Sequence, residues 1–173
     1  MELAVVDCTS DRLGELFEFR ARVWIDEGAD PSAFDDGSWP DGPGAHRTHW
    51  MVLDDDRIVA AASISLHATL ADVEEPEAYA AVPAPPPGTV AAPARVVVDA
   101  AYRGHGLATL LLDHQDDAAR HAGAVLAVRQ ASPAMKRLLE RRGWRDHGSG
   151  PADPRFPGVR FTVMSLVLQG ESL

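Results

Sequence analysis

Apolar positions recur with two different spacings along this chain of 173 residues. Six residues at three- and four-residue intervals predict one face of an α-helix that ends at about Trp24, with Ser10 as its N-cap; they are Leu13, Leu16, Phe17, Arg20, Ala21 and Trp24. Shorter apolar runs without that spacing predict strands at residues 3–7, 49–53, 58–67, 95–99, 124–128, 144–147 and 160–168.

Two more helices follow from the pattern. One begins at Gly104 and runs to about His121, with Leu107, Leu110, Leu111 and Ala118 on one face. The other has Ser132 as N-cap, Pro133 at its first position and Gly143 as a left-handed C-terminal cap. Strands and helices therefore alternate through most of the chain, which predicts a single α/β domain of ordinary size.

Two segments interrupt this alternation. Residues 28–44 are rich in Gly, Pro, Asp and Ser and predict a long loop with one short helical turn. Residues 68–93 have low complexity, and six of the 13 prolines lie between 76 and 93. Proline lacks the N–H that a central strand needs, so this segment is interpreted as an extended surface insertion.

Composition and charge exclude several classes of protein. The formal net charge of −10 argues against a nucleic-acid or anionic-membrane surface, which needs clustered cations. The single cysteine, Cys8, excludes an internal disulfide and a cysteine zinc site, and no metal is expected. We found neither a secretory signal nor a long apolar run, and we expect a cytoplasmic location. Residues 26–56 carry nine acids and one arginine, Arg47, and would attract a cationic amine if they line an acceptor pocket.

A glycine-bearing turn between a strand and a helix carries the most specific signal. The first N–H groups of a helix have no internal partners, and Gly104 and Gly106 leave room for an anion beside them. A P-loop is excluded because no lysine is near, and Thr109 fits the dinucleotide fingerprint poorly. A third pattern, [Q/R]-x-x-G-x-[G/A], is filled by Arg103, Gly106 and Ala108.

This stretch resembles the pyrophosphate loop of the GCN5-related N-acetyltransferase (GNAT) superfamily, with its string V-D-P-x-Y-R-G-x-G-L-G. It departs from that string at Ala100 and Ala108. Downstream, residues 132–144 resemble the helix that ends in L-Y-E-K-x-G-F. Upstream, residues 20–27 followed by His49 resemble the pattern R-x-x-V-F-x-x-E and a histidine that opens the next strand.

The resemblance implies a mixed, twisted and partly splayed sheet with flanking helices, and an acyl-coenzyme A, most simply acetyl-CoA, as co-substrate. The pantetheine arm would pair with the strand at 96–98, an N–H near Val97 or Val98 would donate to the thioester carbonyl, and the pyrophosphate would lie on the amides from 104 to 109. The cofactor-binding residues so implied are Val96, Val97, Val98, Arg103, Gly104, His105, Gly106, Leu107, Ala108, Thr109 and Ser132.

Glu27 is the preferred candidate for the general base, with a solvent-facing acid as the alternative. His49 and His67 are more often structural histidines, and Ser132 is more often only a helix cap. The family's tyrosine acid aligns with Leu139, which cannot donate a proton. The resemblance thus implies an N-acyltransferase, most simply an acetyltransferase acting on a small-molecule amine.

Two alternatives to that function stay open. The chain could bind acyl-CoA without transferring the acyl group, or it could run a different reaction on the same scaffold. The sequence does not give the oligomeric state, and a homodimer is one option.

Overall fold

The structure, a computed structural model, describes residues 1–6, 10–42 and 46–168. Within them, seven strands form one mixed sheet in the order β1-β2-β3-β4-β5-β7-β6, in which β4 and β5 are parallel and the pairs β1–β2, β2–β3, β5–β7 and β6–β7 are antiparallel. The predicted mixed sheet with flanking helices is confirmed. The strands are β1 Glu2–Val6, β2 Arg47–Asp54, β3 Arg57–His67, β4 Thr89–Val98, β5 Ala124–Ala131, β6 Arg145–Ser149 and β7 Thr162–Val167; the helices are α1 Leu13–Asp26, α2 Leu107–His121 and α3 Pro133–Glu140.

The chain divides into two compact units. Unit 1 comprises residues 1–65, 95–116 and 154–157, and unit 2 comprises residues 66–94, 117–153 and 158–173. Both β4 and α2 contribute residues to each unit. The candidate loop at the end of β4 belongs to unit 1.

Unit 1 is built on the buried face of α1. Leu16, Phe19 and Val23 lie in one apolar cluster with Met51, Ile58, Ala61 and Val97 from β2, β3 and β4. Burying side chains of this size stabilises the unit by about 1.5–3 kcal/mol each. The same face of α1 also carries Arg20, whose side chain is fully buried.

The predicted start of α1 is wrong by two residues. The helix has Arg12, not Ser10, at its N-cap position. The Ser10 hydroxyl instead accepts the Arg12 N–H at 3.2 Å and closes a turn before the helix. Arg12 then forms ion pairs with Glu15 and Asp56, which tie the first turn of α1 to the turn between β2 and β3.

Unit 2 corrects the interpretation of the proline-rich segment. It has its own core cluster, to which Val73, Tyr79 and Val82 belong, and two 3₁₀ turns at Leu70–Asp72 and Pro76–Tyr79. Tyr79 and Val82 lie between Pro76 and Pro83, and Val73 precedes these prolines. The segment is therefore not simply an extended surface insertion.

β4 also begins earlier than predicted, at Thr89, and includes the buried Pro93. Its pairs with β5 join Thr89–Ala91 to residues 124–127. Pro93 follows these pairs, so its missing N–H does not interrupt them.

The other boundaries change little. The 28–44 loop contains two 3₁₀ turns, Pro31–Ala33 and Asp35–Gly37, while residues 43–45 lie outside the described chain, as does Asp7 of the first predicted strand. α2 starts at Leu107 instead of Gly104, because Gly104 and Gly106 adopt left-handed backbone angles. No helix in the described part of the chain has the length and apolar character needed to cross a membrane.

The start of α3 is confirmed. The Ser132 hydroxyl accepts the Met135 N–H at 3.4 Å, and Pro133 occupies the first position of the helix. Gly143 has φ +85°, as expected for a left-handed C-terminal cap.

Candidate functional site

The loop between β4 and α2 is open at its two glycines. Gly104 and Gly106 both have φ +79°, and a Cβ added to either would meet nothing within 4 Å. The first backbone hydrogen bond into α2 runs from the Leu110 N–H to the Gly106 carbonyl at 3.0 Å. The preceding amides belong to the first turn of α2. The N–H groups of a first turn have no intrahelical acceptors, and the helix dipole places its positive end there. The loop is therefore suited to hold a phosphate-bearing ligand.

Contacts to the β2–β3 turn hold this loop in place. The Tyr102 hydroxyl donates to Asp54 at 2.8 Å, and Arg57 donates to Asp99 at 2.9 Å. The Asp99 N–H also donates to the Val59 carbonyl at 2.9 Å. The hydrogen bond to Asp54 raises the pKa of Tyr102, so its hydroxyl keeps its proton.

Arg103 connects the loop to two predicted site residues. Its Nε and Nη2 donate to the Val98 carbonyl at 3.3 and 3.2 Å. Its Nη2 also forms an ion pair with Oε1 of Glu27, which lies at the C-terminal cap of α1. The structure thus brings the candidate base beside the candidate cofactor loop, and one oxygen of Glu27 is engaged by Arg103.

The strand before the loop contains a backbone irregularity. Arg95 has φ +58°, in the left-handed region that a residue with a side chain rarely adopts within a strand. Such strained residues cluster at ligand-binding and active sites. Val96, Val97 and Val98 follow it, and Val97 is buried in the unit 1 core while its two neighbours are half-buried.

The remaining predicted site residues occupy different environments. His105 is exposed, and its Nδ1–H donates to the Tyr102 carbonyl at 3.1 Å. Leu107 is buried, Ala108 half-buried and Thr109 exposed. In unit 2, Ser132 caps α3, and Leu139 on the same helix is fully buried. The cofactor roles of these residues stay predictions.

Unit 1 also contains a cluster of polar residues that sequence reasoning missed as a site. We call Arg20, Asp41, Arg47, His49 and Arg95 the arginine–aspartate cluster. Oδ1 of Asp41 lies 3.1 Å from Nη1 of Arg20 and 3.7 Å from Nε of Arg47, and it also receives Nη1 of Arg95. The three arginine side chains are 0%, 3% and 6% exposed, so three guanidinium groups converge on one carboxylate away from water.

The hydrogen bonds in the cluster fix the state of His49. Arg20 has no acceptor, so its Nη2 donates to Nδ1 of His49 at 2.6 Å. Nε2 of His49 then carries the proton and donates to Oδ2 of Asp41 at 2.9 Å. Burial lowers the pKa of His49, and the charge of Arg20 acts in the same direction. The ring is neutral with both nitrogens occupied, so it has no lone pair left for a substrate proton.

The charges of the cluster also shift its two other titrating members. Burial would raise the pKa of Asp41, but the hydrogen bond from His49 and the charges of Arg20 and Arg95 outweigh it and hold that pKa far below its usual range. Burial, followed by the charge of Arg95, lowers the pKa of Arg20 to about 9. Asp41 is therefore an ion-pairing group and a poor general base.

Aromatic side chains lie over this cluster. The guanidinium of Arg95 lies 5.1 Å from the ring centroid of Trp39, and that of Arg155 lies 5.2 Å from it. Phe156 lies 5.6 Å from Trp39 and 4.6 Å from Trp24. These distances are within the range of cation–π and aromatic contacts. One signal could have found the site: Arg20 is a charged residue on the apolar face of a predicted helix.

The mixed sheet with its flanking helices is the fold of the GNAT acyltransferases. The family model described as Acetyltransferase (GNAT) family matches residues 13–144, and the chain belongs to this family. No curated protein matches the chain significantly by sequence.

Solved structures share the fold at low sequence identity. The acetyltransferase of GNAT family from Streptococcus pneumoniae superposes with a TM-score of 0.62 at 15% identity, over 97% of this chain and 100% of that one. The acyl-homoserine lactone synthase LasI gives 0.73 at 14% identity, over 97% and 90%. Arabidopsis thaliana NAA60, solved with a bisubstrate analogue, gives 0.67 at 11% identity, over 98% and 100%.

Proposed function

We propose that this chain transfers an acyl group, most simply acetyl, from acyl-CoA to the amine of a small molecule. The observation that carries the proposal is the open loop from Arg103 to Leu107, in which two left-handed glycines with free space around them precede the first turn of α2. Family membership supports acyl-CoA as the donor. We also expect a cytoplasmic location, and the single cysteine fits a reducing compartment.

Each part of the loop and strand has a role in this proposal. Acyl-CoA supplies an activated thioester. The amides from Gly104 to Thr109 would bind its pyrophosphate, since donors at a helix N-terminus attract anions. Val96–Val98 would hold the pantetheine arm by strand-like pairing, and an amide near Val97 or Val98 would donate to the thioester carbonyl and stabilise the charge that develops on it.

The proton leaving the attacking amine needs an acceptor, and Glu27 is our candidate. Glu27 lies beside Arg103 and therefore next to the loop. Because its Oε1 is paired with Arg103, its other carboxylate oxygen would have to accept the proton from the amine. His49 is not an alternative base, because both its ring nitrogens are engaged. Nor is Asp41, whose pKa is too low.

Leu139 favours a second candidate, a protein that binds acyl-CoA without transferring it. This residue stands where the family has its tyrosine acid, and it is fully buried. Loss of a general acid costs about 100- to 10,000-fold in rate, so slow transfer remains compatible with Leu139. A turnover assay with acetyl-CoA, an amine panel and free-thiol detection separates the two: acceptor-dependent thiol release with an acetyl mass gain supports transfer, and binding without either supports the second candidate.

Coenzyme A binding tests the loop itself. Isothermal titration should show saturable binding to the wild type and an affinity at least tenfold lower for Gly106→Ala. Gly123→Ala is the matched control: it lies just beyond the other end of α2, has φ +66° and also has no neighbour within 4 Å of an added Cβ. Both substitutions place a side chain in the left-handed region, which costs about 1–2 kcal/mol. Absence of saturable binding, or equal losses in both variants, contradicts the proposal.

A further inference from the structure

The arginine–aspartate cluster has a buried donor on Arg20 that Asp41 does not use. An arginine guanidinium has five N–H donors in a planar fork that matches a carboxylate, whereas Asp41 offers two oxygens. Oδ1 of Asp41 alone faces three guanidinium groups. Nε of Arg20 is buried and has no hydrogen-bond partner among the described residues. Arg20 therefore keeps one buried donor beyond those that Asp41 and His49 engage.

Asp41 is the member of the cluster that no helix or strand holds in place. The three arginines are fixed in α1, β2 and β4, whereas Asp41 belongs to no helix or strand. Its side chain is 12% exposed, more than any of its three arginine partners. A carboxylate that arrived from solvent would therefore meet Asp41 first, and replacing it would leave the arginines in position.

The cluster lies close to the strand that we propose binds the thioester. Arg95 precedes Val97 by two residues, which span at most about 7 Å of chain. Arg47, His49 and Met51 alternate on β2 and so share one face of the strand. Met51 belongs to the same core cluster as Val97, which places both on the side of the sheet covered by α1. An anion held by the arginines would leave its neighbouring atoms within reach of that strand.

The half-buried ring of Trp39, backed by the buried Phe156, gives this site an apolar wall. Their ring centroids are 5.6 Å apart, and Arg95 lies over Trp39. A ligand that presents a carboxylate to the arginines would place its remaining carbon atoms against aromatic surface. This combination of guanidinium groups and aromatic rings suits a small organic acid better than an inorganic anion.

We propose that the arginine–aspartate cluster binds a carboxylate of the acyl acceptor, which is therefore an amine carrying a carboxylate close to its amino group, and that Asp41 occupies this position when the acceptor is absent. The inference rests on the proposed acyl transfer and names its acceptor class. Arg20, Arg47 and Arg95 bind and orient the carboxylate. The aromatic wall selects among side chains.

Matched acceptors test the substrate class. Glycine, β-alanine and phenylalanine are each compared with their primary amide in the acetyl-CoA turnover assay. The kcat/KM should be at least tenfold higher for a free carboxylate than for its amide in one or more pairs. The amide has the less basic amine and so the larger fraction of reactive free base, which works against this result. Equal rates, or a preference for the amides, would overturn the inference while leaving acyl transfer intact.

Substitution of one arginine locates the preference. Arg95→Gln should raise KM for the preferred carboxylate acceptor at least tenfold and leave KM for its amide unchanged. Arg120→Gln is the control, because Arg120 is an exposed arginine in the last turn of α2, outside the cluster. Equal effects on acid and amide, or on both variants, would count against a carboxylate site.

An assay without coenzyme A keeps the inference separate from the proposed function. Asp41→Ala should melt at a higher temperature in sodium acetate than in sodium chloride of equal ionic strength, because acetate binds where Asp41 was. The wild type and Asp35→Ala, which removes an exposed aspartate of the same loop, should show no such difference. No acetate-specific gain for Asp41→Ala rejects the site. A gain without any coenzyme A binding rejects acyl transfer and keeps the anion site.

Discussion

His49 shows how neighbouring residues decide the chemistry of a side chain. A histidine near the start of a strand and beside an aspartate resembles a catalytic base, yet Arg20 occupies its second nitrogen. The ring is held in one tautomer and kept neutral. Its role is to position Asp41 and Arg20, which is why we assign it no proton transfer.

The state of His49 predicts a pH dependence of stability. Its pKa is lowered in the fold, whereas in the unfolded chain it is about 6.5. Below that pH the unfolded chain binds a proton that the folded chain does not, so the free energy of unfolding falls with falling pH. Relative to His49→Gln, the wild type should lose stability between about pH 7.5 and 5, measured by urea unfolding.

The exposed His121 provides the control for that experiment. A His121→Gln variant should show the same pH slope as the wild type. An identical slope for His49→Gln and wild type would contradict a buried, neutral His49. Above about pH 5 the carboxylates contribute little to the slope, because their unfolded pKa values are near 4.

Substitution of Glu27 gives the most direct test of the proposed proton transfer. Glu27→Gln should lower kcat by about 100- to 10,000-fold, the usual contribution of a general base, while coenzyme A still binds. Asp26→Asn, at the adjacent exposed position, is the matched control and should keep its activity. If Glu27→Gln retains full turnover, another group accepts the proton.

At the scale of elements, β4 departs most from the sequence prediction. Its second half is a valine run, which predicted the strand from residue 95 onward. Its first half contains Pro93 and a stretch of alanines, and strand propensity gives no reason to include them. Packing decides instead: Val90 and Ala92 are buried in the unit 2 core. Burial of this kind is invisible in a local pattern.

Gly88, just before β4, gives a test of that packing. It has φ +153°, and an added Cβ would lie 2.6 Å from Cγ1 of Val125 on β5. Gly88→Ala should therefore lower the free energy of unfolding by about 1–3 kcal/mol, the usual cost of forcing extra volume into a packed site. Urea unfolding measures the change.

Gly14 provides the opposite case on α1. It is exposed, and an added Cβ would meet nothing within 4 Å. Gly14→Ala should raise the free energy of unfolding by about 0.5–1 kcal/mol, because alanine is the better helix former. If Gly88→Ala and Gly14→Ala changed the free energy of unfolding in the same direction, the loss of glycine itself, and not the contact with Val125, would explain the result.

At the scale of the whole molecule, the sequence predicted what is local and missed what is distant. The glycine loop, the capped start of α3 and the family all follow from residues adjacent in the chain. The arginine–aspartate cluster does not, since Arg95 and Asp41 are 54 positions apart and approach only in the folded unit. The acidic segment 26–56 was expected to be a solvated face, or to attract a cationic amine if it lines the acceptor pocket. One of its acids, Asp41, is instead held by buried arginines.

The turn between β2 and β3 has a practical consequence for anyone who modifies this protein. Short hairpin turns are common choices for epitope tags, fluorescent reporters or crystallisation inserts. Here the flanking Asp54 and Arg57 hold Tyr102 and Asp99, and Asp56 is paired with Arg12. Lengthening this hairpin would strain the loop between β4 and α2, which is distant in sequence but hydrogen-bonded to it. Labels therefore belong elsewhere on the chain.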